Sequence, residues 1–147
     1  MPSLQAQTVE EKKQQADRLL QEGFRQYQSS QFQNAAQSWQ EALKLYEEIG
    51  DRAGIAASLG NLGIVSDLLG NYEEAIDYHQ RSLAIKEEIG DRAGISGSLN
   101  NLGTVSLNLG KYEEAIDYYQ RSLAIKEEIS DRAGIARSLN NLGNISD

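Results

Sequence analysis

The strongest constraint on the fold is a repeat of forty residues. The block that starts at Asp51 returns at Asp91 with nine of its forty positions changed, and a third copy starts at Asp131. A fixed period of this length is typical of solenoids, in which each unit buries its apolar face only against its neighbours. The sequence therefore predicts a stack of similar structural units.

A diverged copy precedes these blocks. Several of its residues stand forty positions before their counterparts: Gly23, Phe32, Ala35, Trp39, Ala42 and Leu43 precede Gly63, Tyr72, Ala75, His79, Ser82 and Leu83. We predict one solenoid over residues 8–147, with repeats at about 8–50, 51–90 and 91–130 and a half repeat at 131–147. We expect residues 1–7 to be a disordered tail.

Each repeat carries the pattern of two helices, called A and B. Ile55, Leu59, Leu62, Ser66 and Leu69 share one helical face, and this face defines helix A. Gly70 is predicted to end helix A, and Gly90 to end helix B. Three capping residues are predicted, two of them in capping boxes: Thr8 with Glu11, Asn71 with Glu74, and Asp91 at the next helix A. Helix B should turn these residues inward: Tyr72, Ala75, Ile76, His79, Leu83 and Ile89.

Composition limits the partners. The chain has 14 basic and 22 acidic residues, a formal charge of −8, and no cysteine. This charge repels nucleic acid and anionic lipid, and the missing cysteine fits a reducing compartment. No apolar run reaches the length of a membrane span. We expect a cytoplasmic protein that binds neither nucleic acid nor a membrane.

The repeats resemble a known family. The residues that carry the resemblance are Leu62, Gly63, Gly70, Tyr72, Ala75 and Leu83, with their copies Leu102, Gly103, Gly110, Tyr112, Ala115 and Leu123. They resemble the tetratricopeptide-repeat consensus. The forty-residue unit is similar to the subclass of Pins-type adaptors, kinesin light chains and cyanobacterial repeat proteins. The resemblance implies an all-α, right-handed superhelical solenoid of antiparallel helix hairpins, here three repeats plus an unpaired seventh helix.

Differences between the copies cluster on helix A. Five of the nine positions that differ between the second and third copies form one stripe along helix A: Ala57, Gly60, Ile64, Asp67 and Leu68. The exposed residues of helix B are copied unchanged. The resemblance implies that this stripe lines a concave groove. The alternative is an exposed face that drifts without a function. The predicted groove residues are Leu20, Phe24, Tyr27, Asn61, Ile64, Leu68, Asn100, Asn101, Thr104, Asn108, Arg137, Asn140, Asn141 and Asn144.

The recurring asparagines allow two interpretations. The amides of Asn61, Asn101 and Asn141 offer a donor and an acceptor together, which suits the backbone of an extended peptide. The same residues could instead stabilise contacts between adjacent repeats. Among the positions at which some family members grip a terminal carboxylate, only Arg137 is basic here, which argues against that kind of clamp.

Catalytic chemistry is not indicated. His79 is the sole histidine and replaces Trp39 and Tyr119 of the other repeats, which favours a packed position over a catalytic one. We predict no enzyme activity, no metal and no cofactor.

We therefore expect a scaffold or adaptor module that binds a protein or peptide in the groove. The alternative is a self-assembling fragment of a larger signalling protein, with a homodimer formed through Leu139, Leu142 and Ile145 of the half repeat.

Overall fold

The computed structural model describes residues 8–129 and 131–146, and the predicted tail at 1–7 lies outside them. Within these residues all regular structure is helical. The helices are α1 (Val9–Gln28), α2 (Phe32–Ile49), α3 (Arg52–Leu68), α4 (Tyr72–Ile89), α5 (Arg92–Asn108), α6 (Tyr112–Glu128) and α7 (Arg132–Ser146). Each helix packs against the next one along the chain, so α1–α2, α3–α4 and α5–α6 are hairpins, and α7 lies on α6. The all-α repeat fold is confirmed.

Most of the predicted helix ends are confirmed. Gly70 and Gly90 take left-handed backbone conformations, with φ of 80° and 73°, where glycine is favoured. Asp91 accepts a hydrogen bond from the Gly94 amide at 2.9 Å at the start of α5. Thr8 and Glu11 form the reciprocal capping box of α1.

The second predicted capping box is wrong. Asn71 precedes α4 but makes no side-chain hydrogen bond to it. The ψ of Asn71 is 68°, whereas Thr8 has a ψ of 162°. The backbone N–H of Asn71 donates to the Ser66 carbonyl at 2.8 Å, which closes the tight turn after the preceding helix. This turn holds the backbone in a conformation that directs the side chain away from the first amides of α4.

A glycine and a ring fill the centre of each hairpin. A Cβ added at Gly23, Gly63 or Gly103 would collide with the ring of Trp39, His79 or Tyr119, respectively. All three rings are buried, and His79 is 1 % exposed. The interpretation of His79 as a packed residue is confirmed, because its imidazole occupies the place of a core aromatic side chain.

The buried face of helix B differs from the prediction in its second half. Ala75 and His79 are buried as expected, but Ile89 is 47 % exposed. Ser82 and Ile85 are buried instead, and the Ser82 hydroxyl donates to the Ala56 carbonyl at 2.8 Å. The second half of helix B contacts both neighbouring A helices: Ser82 bonds to the preceding α3, and Lys86 bonds to Ser98 of the following α5.

Candidate functional site

Beyond their exposed first turns, helices α3 and α5 are buried except along one strip. In α3, half-buried positions alternate with pairs of buried residues, and Leu68 at the end is exposed. The half-buried positions are Ala57, Gly60, Asn61, Ile64 and Asp67. The counterparts in α5 show the same pattern: Gly97, Asn100, Asn101, Thr104, Leu107 and the exposed Asn108. We call these positions, with their counterparts in α1 and α7, the A-face. Beyond the first turns, the A-face is the part of α3 and α5 that solvent reaches.

The strips of successive A helices touch each other. The Asn108 amide donates to the Asp67 carboxylate at 2.8 Å, which joins α5 to α3. The Asn141 amide donates to the Asn100 side-chain oxygen at 3.1 Å, which joins α7 to α5. The strips of α3, α5 and α7 are therefore joined into one surface.

These contacts distinguish between the recurring asparagines. Asn141 has an inter-repeat partner in Asn100, but the counterpart of Asn100 in α3 is Gly60, which has no side chain to accept from Asn101. Among the described residues Asn101 is half-buried, and no hydrogen bond from its amide is found. The inter-repeat role thus has a contact at Asn141, while the side-chain amide of Asn101 makes no hydrogen bond within the described residues.

The A-face is apolar at its α1 end. Phe24 is 46 % exposed and packs edge-on against Trp39, with 5.6 Å between the ring centroids. Leu20 and Tyr27 are half-buried against the core of the first two hairpins, and Leu68 is exposed. Large apolar side chains in reach of solvent can take apolar groups of a partner.

The α7 end is more polar and less covered. Arg137, Asn140 and Asn144 are exposed. Leu139 is 54 % exposed, whereas its counterpart Leu99 is 2 % exposed beneath α6. Two further residues of the predicted self-association surface, Leu142 and Ile145, are half-buried.

Sequence reasoning missed two lysines that contact the following helix A, of which Lys126 is buried and Lys86 is half-buried. The Lys86 ammonium donates to the Ser98 hydroxyl at 3.0 Å, and the Lys126 ammonium donates to the Ser138 hydroxyl at 3.0 Å. Among the described residues neither lysine has a carboxylate within ion-pair distance. Burial lowers the pKa of both side chains. The sequence offered a weak signal, since both lysines stand one helical turn after a small buried serine.

The first repeat lacks this lysine. Tyr46 takes its place, and the Tyr46 hydroxyl donates to Asp17 at 2.5 Å. The Ser58 hydroxyl, the counterpart of Ser98, is fully buried and finds no hydrogen-bond partner among the described residues. The same serine is therefore satisfied in one repeat and unsatisfied in another.

We expect serine-to-alanine changes at these two equivalent positions to have opposite effects. Ser58→Ala removes an unsatisfied buried hydroxyl and should raise the free energy of unfolding by about 1 kcal/mol, whereas Ser98→Ala leaves the Lys86 ammonium without its acceptor and should lower it by about 1–3 kcal/mol. Urea denaturation of both variants measures the difference. Equal losses in the two variants would contradict the assignment of Ser58 as unsatisfied.

The structure presents no helix long and apolar enough to cross a membrane within its described part. In that same part, no group of three or more histidine, cysteine, aspartate or glutamate side chains is placed to hold a metal ion.

Comparisons with known proteins agree on the fold. The tetratricopeptide repeat family profile matches residues 23–88 and 94–145. The crystal structure of the TPR domain of Arabidopsis FLU is 26 % identical, with a TM-score of 0.76, over 80 % of this chain and 98 % of that domain. The TPR2AB-domain:pHSP90 complex of yeast Sti1 is also 26 % identical, with a TM-score of 0.73, over 89 % of this chain and 46 % of that one.

A third similar structure is aspartyl phosphate phosphatase F from Bacillus subtilis. It is 19 % identical with a TM-score of 0.86, over 96 % of this chain and 36 % of that one, so this likeness concerns the fold alone. The chain spans less than half the length of the Sti1 and phosphatase structures. No curated protein sequence matches the chain.

Proposed function

Because the chain belongs to the tetratricopeptide-repeat family, whose members generally mediate protein–protein interaction, we propose that its A-face binds an extended segment of a partner protein. The module then acts as a scaffold or adaptor. The Sti1 structure holds a peptide of another protein on the same kind of fold, which supports this mode of action.

One observation carries the proposal. Five of the nine differences between the second and third repeats lie on the A-face, which is half-buried, while the exposed side of helix B is identical in both copies. Drift without function would alter the exposed side of helix B at least as often, because surface substitutions there cost little stability. A surface that binds a partner, by contrast, gains specificity when each repeat presents different side chains.

The A-face has the chemistry of a peptide site. Its α1 end offers apolar side chains, and α5 offers the amides of Asn100 and Asn101 beside the Thr104 hydroxyl. Amides bind backbone C=O and N–H groups of an extended peptide irrespective of its side chains. The apolar end adds preference for particular side chains of the partner.

The test uses a peptide selected on the wild-type chain from a random decapeptide display library. We expect Asn101→Ala to weaken binding of that peptide about tenfold, or about 1.4 kcal/mol, by removing one amide contact. The melting temperature of the Asn101→Ala variant should match that of the wild type, since the Asn101 side chain makes no hydrogen bond within the described residues. Isothermal titration and thermal melts provide the two measurements.

Two control variants accompany this test. Asn141→Ala should lower stability, because it removes the contact to Asn100. Glu113→Gln, on the exposed side of α6, should leave both binding and stability unchanged. Peptides whose affinity falls with Glu113→Gln and not with Asn101→Ala would place the binding surface on helix B and contradict the proposal.

Self-association is a second candidate function, favoured by the exposure of Leu139. Burial of a leucine side chain contributes roughly 1.5–3 kcal/mol, so a second copy that covered α7 would gain stability. A homodimer through Leu139, Leu142 and Ile145 stays a prediction. The cytoplasmic location also stays a prediction.

A further inference from the structure

Lys86 lies between two A helices at the point where each of them has a glycine. A Cβ added at Gly60 of α3 would lie 3.9 Å from the Lys86 ammonium. On the other side, Gly97 of α5 precedes Ser98, the hydroxyl that accepts from this ammonium. A Cβ added at Gly97 would meet nothing within 4 Å. Gly60 thus leaves space next to the Lys86 ammonium, and Gly97 adds no side chain on the α5 side.

The equivalent lysine of the next repeat is closed off. The counterparts of Gly60 and Gly97 are Asn100 and Arg137, and Lys126 is 3 % exposed whereas Lys86 is only half-buried. Burial first, and then the nearby Arg137 guanidinium, lower the pKa of Lys126. The same side chain is thus accessible in one repeat and covered in the next, because two small residues are replaced by two large ones.

Lys86 forms no ion pair among the described residues, and the nearby Asp91 carboxylate only partly offsets the lowering of its pKa by burial. Its ammonium has three donors, and the one acceptor found for it is the Ser98 hydroxyl. A partly desolvated ammonium that lacks a paired carboxylate gains more from an arriving anion than a fully hydrated one does. On the described A-face of α3, α5 and α7 the sole carboxylate is Asp67, which already accepts from Asn108. The one carboxylate of this described strip is therefore already engaged, on a chain whose formal charge is −8.

We infer that Lys86 is the point of the A-face that binds an acidic side chain of the partner, whose carboxylate enters between Gly60 and Gly97. The inference rests on the proposed function and adds the chemistry of the partner. The partner segment carries an aspartate or a glutamate at the position that crosses α3 and α5.

The experiment selects decapeptides from a random display library on the wild-type chain and measures their affinity. We expect an acidic residue at one fixed position of the selected peptides, and a loss of affinity of tenfold or more when the amide replaces that acid. Lys86→Met should reduce this difference between the acidic and amide peptides to less than twofold. Gly60→Asn, which copies the third repeat and keeps the lysine, should do the same by filling the space that Gly60 leaves.

Lys126→Met is the matched control, because it removes the equivalent lysine that is already covered. It should leave the preference for the acidic peptide within twofold of the wild type. A preference that persists in both Lys86→Met and Gly60→Asn would overturn the inference. Selected peptides that depend on Asn101 but show no acidic position would overturn this inference alone, whereas peptides whose affinity falls with Glu113→Gln and not with Asn101→Ala would overturn the proposed function.

Discussion

Gly103→Ala and Gly97→Ala, two identical substitutions in the same helix, should change stability in opposite directions. A Cβ at Gly103 would lie 2.7 Å from the ring of Tyr119, which is buried and held by a 2.9 Å hydrogen bond to Thr104. The ring cannot move without breaking the hairpin contact, so we expect a loss of about 2 kcal/mol in the free energy of unfolding. Gly97 has open space around it, and alanine should stabilise α5 there by about 0.5–1 kcal/mol.

Urea denaturation followed by circular dichroism measures both variants. Gly97→Ala is a well-matched control, because alanine already stands at the equivalent position 57 of the second repeat. Two stabilised variants would show that Tyr119 gives way easily and that the glycine is not needed for the close approach of α5 and α6.

Acid should weaken the fold through His79 before the carboxylates titrate. Burial, with a smaller effect from the Lys86 charge, lowers the pKa of His79 from 6.5 to about 4. Because the unfolded chain binds this proton more readily, the folded state is fully stable above pH 6.5 and loses stability as the pH falls toward 4. The expected loss between pH 7.5 and pH 5 is about 2 kcal/mol.

The control rebuilds the third repeat inside the second. His79→Tyr together with Ile64→Thr recreates the pair of Tyr119 and Thr104 and removes the only histidine of the chain. Unfolding of this double variant should change little between pH 7.5 and pH 5, since Asp51, whose pKa lies below its usual value of 3.8, stays ionised there. An equal loss in the wild type and the double variant would assign the acid sensitivity to other groups.

Much of the fold was predictable from local patterns. The forty-residue period is visible in the sequence itself. Left-handed glycines such as Gly70 and caps such as Asp91 depend on a few neighbouring residues, because they follow from local backbone sterics and hydrogen bonding. The position of His79 was predictable as well, because comparison with Trp39 and Tyr119 identified it as a packed ring. The capping box at Asn71 was the local prediction that turned out wrong, because the preceding turn sets its backbone.

The candidate site was only partly predictable. Comparison of the copies identified the A-face positions, since the differences between repeats are visible in the sequence alone. The different environments of Asn101 and Asn141 were not visible in the sequence. Asn141 bonds to Asn100 of the preceding repeat, whereas Asn101 faces Gly60 at the equivalent position. Their separation in the chain makes such contacts depend on how the A helices are placed side by side.

The sequence by itself determined that this chain repeats a helical hairpin and which positions distinguish one copy from the next. Only the tertiary structure decided what surrounds the buried polar groups: Ser58 without a partner, Lys86 half-buried beside Gly60, and Lys126 covered. The physical reason is that identical local sequences fold into identical helices, whereas the dielectric environment of a side chain is set by the helices packed on either side of it. Near-identical copies therefore share a fold while their lysines differ in burial.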